Sequence, residues 1–235
     1  AIMHRYLHRP PIRLRFLHLL LLFVRADCGG RQSAWSAANS FTTECALITS
    51  LPYTEGFETV PVYHGNDVFE LPCWCNVYTP NPDINIPYPV VLNQISHYGD
   101  RSLVWGTYGY SSYTGLPAID THAIALDSLQ LHFWGKGNGY LTHYTMTIGV
   151  MRDDDTTTFV PVTTLDISGP EWQLYTVSLR NYTGGGNRFA IHGTGYNNVF
   201  LDDFTIEALP PCPAPSEVAV SHVTRHTAEV AWQGT

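Results

Sequence analysis

Through its middle the chain alternates between apolar and polar residues. In Ser128–Trp134, Leu129, Leu131 and Phe133 fall on one side and Gln130, His132 and Trp134 on the other. Thr142–Met151 sets Tyr144, Met146, Ile148 and Val150 against His143, Thr145, Thr147 and Gly149. Phe159–Leu165, Trp172–Leu179, Asn187–His192 and Val199–Glu207 read the same way. Successive strand side chains point to opposite faces, so each run predicts a half-buried β-strand. The runs are closed by turn chemistry, as in Gly135-Lys136-Gly137-Asn138-Gly139, Asp153-Asp154-Asp155 and Gly184-Gly185-Gly186-Asn187. No amphipathic run of helical period interrupts them. About ten strands over ~160 residues exceed what one open twisted sheet holds, so the predicted fold class is all-β, with two antiparallel sheets packed as a β-sandwich. Such a chain buries enough surface to fold alone.

The pattern changes at both ends. Residues 27–44 are small and polar and read as a linker. Leu209–Pro215 is a stiff Pro-rich linker. Beyond it Glu217–Ser221 and Ala228–Trp232 alternate as two further strands, which cannot bury a face alone. Residues 216–235 therefore predict a truncated second β-sandwich. At the other end, Phe16–Val24 is an apolar run of nine residues after a basic stretch, and a cut after Ala26 follows small or β-branched positions. That is the layout of a secretory signal peptide over residues 1–26. The run is too short to span a bilayer, which takes ~20 residues. The expectation is an exported chain, secreted or at a bacterial cell surface, with no membrane insertion beyond the signal peptide.

Charge narrows the function. The formal net charge is −8, yet the first 26 residues hold five arginines and no acid, leaving seven basic residues against all 20 acids. Lys136 is the one lysine of the chain. Nucleic-acid binding needs a basic surface, and it is excluded as a class. Low charge at 14 % with 13 % aromatic residues suits a β-rich extracellular domain. Export permits disulfides. Among the five cysteines, Cys45 and Cys212 bracket the central segment and are expected to join its two ends. Cys73 and Cys75, separated by Trp74, would strain the backbone if bridged to each other.

Four motifs in order resemble one family. Leu51-Pro52-Tyr53-Thr54-Glu55-Gly56-Phe57-Glu58 resembles the opening of the MAM-like jelly-roll domains, related to the cleaved-adhesin domains, of exported Bacteroidetes-type proteins. Leu71-Pro72-Cys73-Trp74 resembles the segment that follows there. Thr147–Asp154 with Thr158-Phe159-Val160 is similar to the family's hairpin, and Phe200–Ile206 to its closing strand. The resemblance spans roughly residues 45–208 and implies a two-sheet antiparallel jelly roll that acts as a non-catalytic surface module. The tail from Pro213 to Trp232 resembles the first two strands of a fibronectin type III domain.

Two constellations are candidates for chemistry. Asp202 shares alternation with Phe204 and Ile206 and is expected to point toward the core, where an unpartnered carboxylate is costly. Related jelly rolls place a structural calcium between an acid near the first strand and acids of the last, which implies Glu58, Asp202 and Asp203 here. Capped turns or backbone N–H donors would also satisfy these acids. The second constellation is aromatic: Trp105, Tyr108, Tyr110 and Tyr113 lie in a Gly/Ser/Thr-rich run and are expected to stack on sugar rings. Packing of the same rings at turns is the competing reading. No nucleophile elbow or H-E-x-x-H motif is present, so the chain is not read as an enzyme. The expected function is adhesion or binding to a glycan or a host or surface protein, with further domains of the same polypeptide. A carbohydrate-binding accessory of a larger hydrolase or protease, or a structural spacer, are the alternatives.

Overall fold

The computed structural model describes residues 19–27, 29–42, 45–64, 71–78, 89–107, 111–139, 144–194, 198–212 and 216–233. In chain order its strands are β1 (Leu19–Leu22), β2 (Asn39–Thr42), β3 (Tyr53–Glu55), β4 (Cys75–Tyr78), β5 (Val90–Asn93), β6 (Arg101–Gly106), β7 (Ser112–Gly115) and β8 (Leu129–Gly137). They continue as β9 (Thr145–Arg152), β10 (Asp155–Asp166), β11 (Gln173–Ser178), β12 (Arg188–Gly193), β13 (Asn198–Ala208), β14 (Ser216–Ser221) and β15 (Glu229–Gln233). The alternating runs read from sequence coincide with β8 to β15 to within a few residues. A single 3-10 turn, Leu126–Ser128, is the helical element among the described residues.

The strands from β3 to β13 form a two-sheet antiparallel jelly-roll β-sandwich. One sheet runs β10-β9-β12-β7-β4. The other runs β11-β8-β13-β6-β5, with β3 pairing the far half of β13. Their inner faces meet in one core. Leu129, Leu131, Phe133, Leu201, Phe204 and Ile206 of the six-stranded sheet are fully buried, as are Ile148, Val150, Phe189 and Ile191 of the five-stranded sheet. Burial of each such side chain stabilises the fold by ~1.5–3 kcal/mol. Phe204 anchors an aromatic cluster, with Trp74, Phe133 and Phe57 ring centroids at 5.3, 5.0 and 5.9 Å.

The disulfide expectation is corrected. Cys45 bonds Cys73, with Cα atoms 5.4 Å apart, and Cys212 is free and exposed. Cys73 lies in the turn before β4, at φ 68°, and meets Cys45 there; Trp74 is buried in the core, and Cys75 enters β4 as a half-buried free thiol. At the ends, β1 pairs β2 and β14 pairs β15 as separate two-stranded sheets. No helix among the described residues is long and apolar enough to cross a membrane.

Candidate functional site

β13 is flanked by β8 along most of its length, but its other side changes neighbour partway. Leu201 is the last residue opposite β6, and Phe204 is the first opposite β3. Asp202 and Asp203 fall in this gap. Here the ladder with β8 also slips: Asp202 lies opposite Trp134, and the next pair is Thr205 with His132. One extra residue on β13 makes a β-bulge, with Asp203 at φ 50°. Residues directly opposite across a ladder share a face. Asp202 therefore lies on the outer face with Trp134, and the inward position expected from its spacing to Phe204 is corrected by the bulge.

Asp202 is nonetheless fully buried, because the loop from β5 to β6 folds over it. His97 N–H donates to Asp202 Oδ2 at 2.8 Å, Tyr98 N–H donates to the same oxygen at 3.4 Å, and Asp203 N–H donates to Oδ1 at 2.8 Å. Burial pushes the Asp202 carboxyl up to about 6, and these amides pull against that rise. The same loop brings in the His97 ring, which meets Asp203 Oδ2 through Nδ1 at 2.7 Å and stacks on Trp134 with centroids 3.8 Å apart. Glu58 holds the end of this loop, its Oε1 accepting the Asp100 and Arg101 N–H groups at 3.0 Å each. A Cβ on Gly99 would sit 2.3 Å from that oxygen, and Gly99 has φ 74°, so glycine is required there.

Residues Glu58, Asp202 and Asp203 thus tie down one loop. Their carboxylates face N–H donors and a histidine, which oppose a neighbouring cation. Among the described residues no three acidic, histidine or cysteine side chains come together to hold a metal ion. As arranged, backbone amides account for the buried acid.

Beside the loop, the outer face of the six-stranded sheet carries an aromatic ledge. Lys136 lies opposite Phe200, and Trp134 lies between Leu174 on β11 and Asp202 on β13. Trp172 directly precedes β11 and reaches the first of these rows: the Lys136 ammonium lies 5.4 Å from the centroid of Trp172 and 5.8 Å from that of Phe200. His97 closes the ledge, edge-on to Trp172 at 5.9 Å. Leu174 is 52 % exposed, while Trp134, Trp172, Lys136 and Phe200 are half-buried. Lys136 meets ring faces and no acid among the described residues. A contact of that kind at an exposed site contributes only ~0.5–1 kcal/mol, so the ammonium is easily drawn to a stronger partner.

The sequence placed sugar stacking elsewhere. Trp105 sits opposite Val199 on the inner face, is fully buried, and donates its Nε1–H to Thr114 Oγ1 at 3.1 Å. It cannot meet a ligand from outside, and that assignment is corrected. Tyr108 and Tyr110 lie outside the described residues. Tyr113 is half-buried on the outer face of the other sheet, where its ring packs on His192 at 4.2 Å and on Phe159 at 5.4 Å. The ledge was partly visible in sequence. Trp134 falls on the polar side of one alternating run, but Lys136, read from sequence as part of a turn, lies within β8, and their meeting with Trp172, Phe200 and His97 depends on the register of three elements.

An all-β sandwich with an outward aromatic ledge and a loop pinned by acids, Asp202 buried among them, defines the class of the molecule. No protein-family model matches the chain, and no curated protein matches it. Solved structures do. The K2 cleaved adhesin domain of Lys-gingipain is 14 % identical over 66 % of this chain and 98 % of that domain, with a TM-score of 0.50. The K1 cleaved adhesin domain of Lys-gingipain from Porphyromonas gingivalis W83 is 16 % identical over 68 % of this chain and 100 % of that domain, also at 0.50. The CBM22-1 xylan-binding domain of Xyn10C from Paenibacillus barcinonensis is 13 % identical over 70 % of this chain and 97 % of that domain, at 0.44. At these identities the likeness to the cleaved adhesin domains is one of fold.

Proposed function

We propose that this chain is a non-catalytic binding module that recognises glycan through the ledge of Trp134, Trp172, Lys136 and Phe200. The observation that carries the proposal is the ledge itself: flat aromatic rings and polar groups on an outward sheet face, the mixture that sugar-binding surfaces use. The fold shared with cleaved adhesin domains supports a surface role but does not select a ligand. The basic and apolar leader read from sequence supports export. The paired β14 and β15, with Val218, Val220, Val230 and Trp232 all more than half exposed, support the reading of 216–235 as part of a further β-sandwich.

Affinity electrophoresis of the whole chain through a panel of polysaccharide gels tests the ledge. At least one polysaccharide should retard the protein, and Trp172→Ala should restore free mobility. Equal mobility across the panel, or retardation that Trp172→Ala leaves intact, removes the reading and leaves a protein ligand or a spacer.

A further inference from the structure

The charges around the ledge are unequally matched. On the acidic side, Asp202 accepts three backbone N–H groups. Asp203 faces His97 Nδ1. Glu207 Oε1 accepts from Gln130 Nε2 at 2.6 Å and lies 3.6 Å from His132 Nδ1. On the basic side, the Lys136 ammonium has only the rings of Trp172 and Phe200 among the described residues. Among the described residues, the charge on this face that lacks a counter-ion is therefore positive, in a chain whose net charge is −8. It stands beside a flat ring, the arrangement that suits a sugar bearing a carboxylate. The ring can lie along the C–H face of the sugar while the ammonium meets the carboxylate in a charge-assisted contact.

We infer that the ledge takes acidic glycans, uronate-containing polymers, with Lys136 as the residue that selects them over neutral ones. This deepens the reading of the ledge as a glycan site and rests on it. The net charge of the protein sharpens the inference. A chain of −8 is repelled in bulk by a polyanion, and its five N-terminal arginines form a separate basic stretch, so retention lost in Lys136→Gln reports contact at the ledge.

The whole chain is run through paired native gels, one holding polygalacturonate and one holding a neutral galactan, at rising NaCl. The inference expects retardation by polygalacturonate that weakens steadily with salt. Lys136→Gln should weaken apparent affinity tenfold or more, and Lys136→Arg should largely keep it. Both side chains point outward, so both variants should melt with the parent protein. The salt series on the parent tests the same point without any substitution. Retardation by the neutral gel alone, or equal retardation of Lys136→Gln, overturns the choice of acidic glycan and leaves the glycan reading standing. Free mobility in both gels overturns the choice of acidic glycan, and free mobility across the whole panel overturns both. Competition by poly-glutamate equal, charge for charge, to that by polygalacturonate also overturns the inference, because the site then reads charge without a sugar ring.

Discussion

The two outer faces of the sandwich carry similar residues and use them differently. On the five-stranded sheet, Tyr113, His192 and Phe159 pack against one another at 4.2 to 5.6 Å. Beside them runs a row of small residues, Gly115, Ala190 and Gly149, opposite one another across three strands. A Cβ on Gly149 would come within 2.6 Å of the Phe159 ring, so that ring lies flat over the glycine. A Cβ on Gly115 would likewise meet the side chains of Cys75, Arg188 and Met151 within 2.8 Å. On the six-stranded sheet the corresponding rows hold Trp134, Lys136 and Phe200 with no small residue between them. Large side chains there pack instead on one another and on His97, with Leu174 52 % exposed beside them. Residue type alone does not separate the two faces; the residues underneath do.

The comparison is broken most sharply by two tryptophans. Trp105→Ala should cost about 3–5 kcal/mol in urea unfolding, through the cavity left in the core. Trp172→Ala should cost under ~1 kcal/mol, as is usual for a surface substitution. Similar losses at both positions would mean that the ledge is part of the packing. Next comes Gly149→Ala, whose new methyl meets Val160 O at 2.4 Å as well as Phe159. Overpacking of this kind typically costs about 1–3 kcal/mol, and an unchanged unfolding midpoint would show that Phe159 does not rest there.

A smaller effect is the response of His192 to pH. Burial holds His192 below its ordinary 6.5, with its Nε2 3.1 Å from Ser111 Oγ. The unfolded chain then binds a proton more readily than the folded one, so this contribution to stability is complete above about pH 6.5 and is lost as pH falls through the lowered folded value. His192→Gln should flatten the fall in stability below that pH. A parent slope that survives His192→Gln unchanged would assign the effect elsewhere. Smallest of all is the response to calcium. With backbone amides on Asp202 and Glu58, the melting midpoint should be the same in EDTA and in excess calcium. A shift of more than a degree or two would restore the calcium reading of Glu58, Asp202 and Asp203.

The strands were legible because alternation is local. Leu129, Leu131 and Phe133 announce an inner face without any partner, and the Asp153–Asp155 turn announces a hairpin. The same rule would have turned Trp105 inward, since it shares a face with Leu103, but the surrounding glycines and tyrosines read as a surface run. Asp202 was misplaced for a different reason. Its neighbours Phe204 and Ile206 point inward, and a single bulged residue reverses the face of everything before it. No local pattern marks that bulge; it arises where β6 hands over to β3 beside β13. The Cys45–Cys73 pairing was hidden likewise, because Cys73 and Cys75 lie two residues apart, and only the placement of Cys73 before β4 and of Cys75 within it decides between them.

That disulfide also sets a path for mechanical load. It closes a segment of 28 residues that contains β3. When the chain is pulled from its two ends, tension entering at Cys45 crosses the sulfur bridge to Cys73 and bypasses the segment between them. Roughly 95 Å of contour, at ~3.3–3.6 Å per residue, is withheld from extension until the bond is reduced. β3 therefore bears no direct pull, while its partner β13, downstream of the bridge, takes the tension that enters from the C-terminal side.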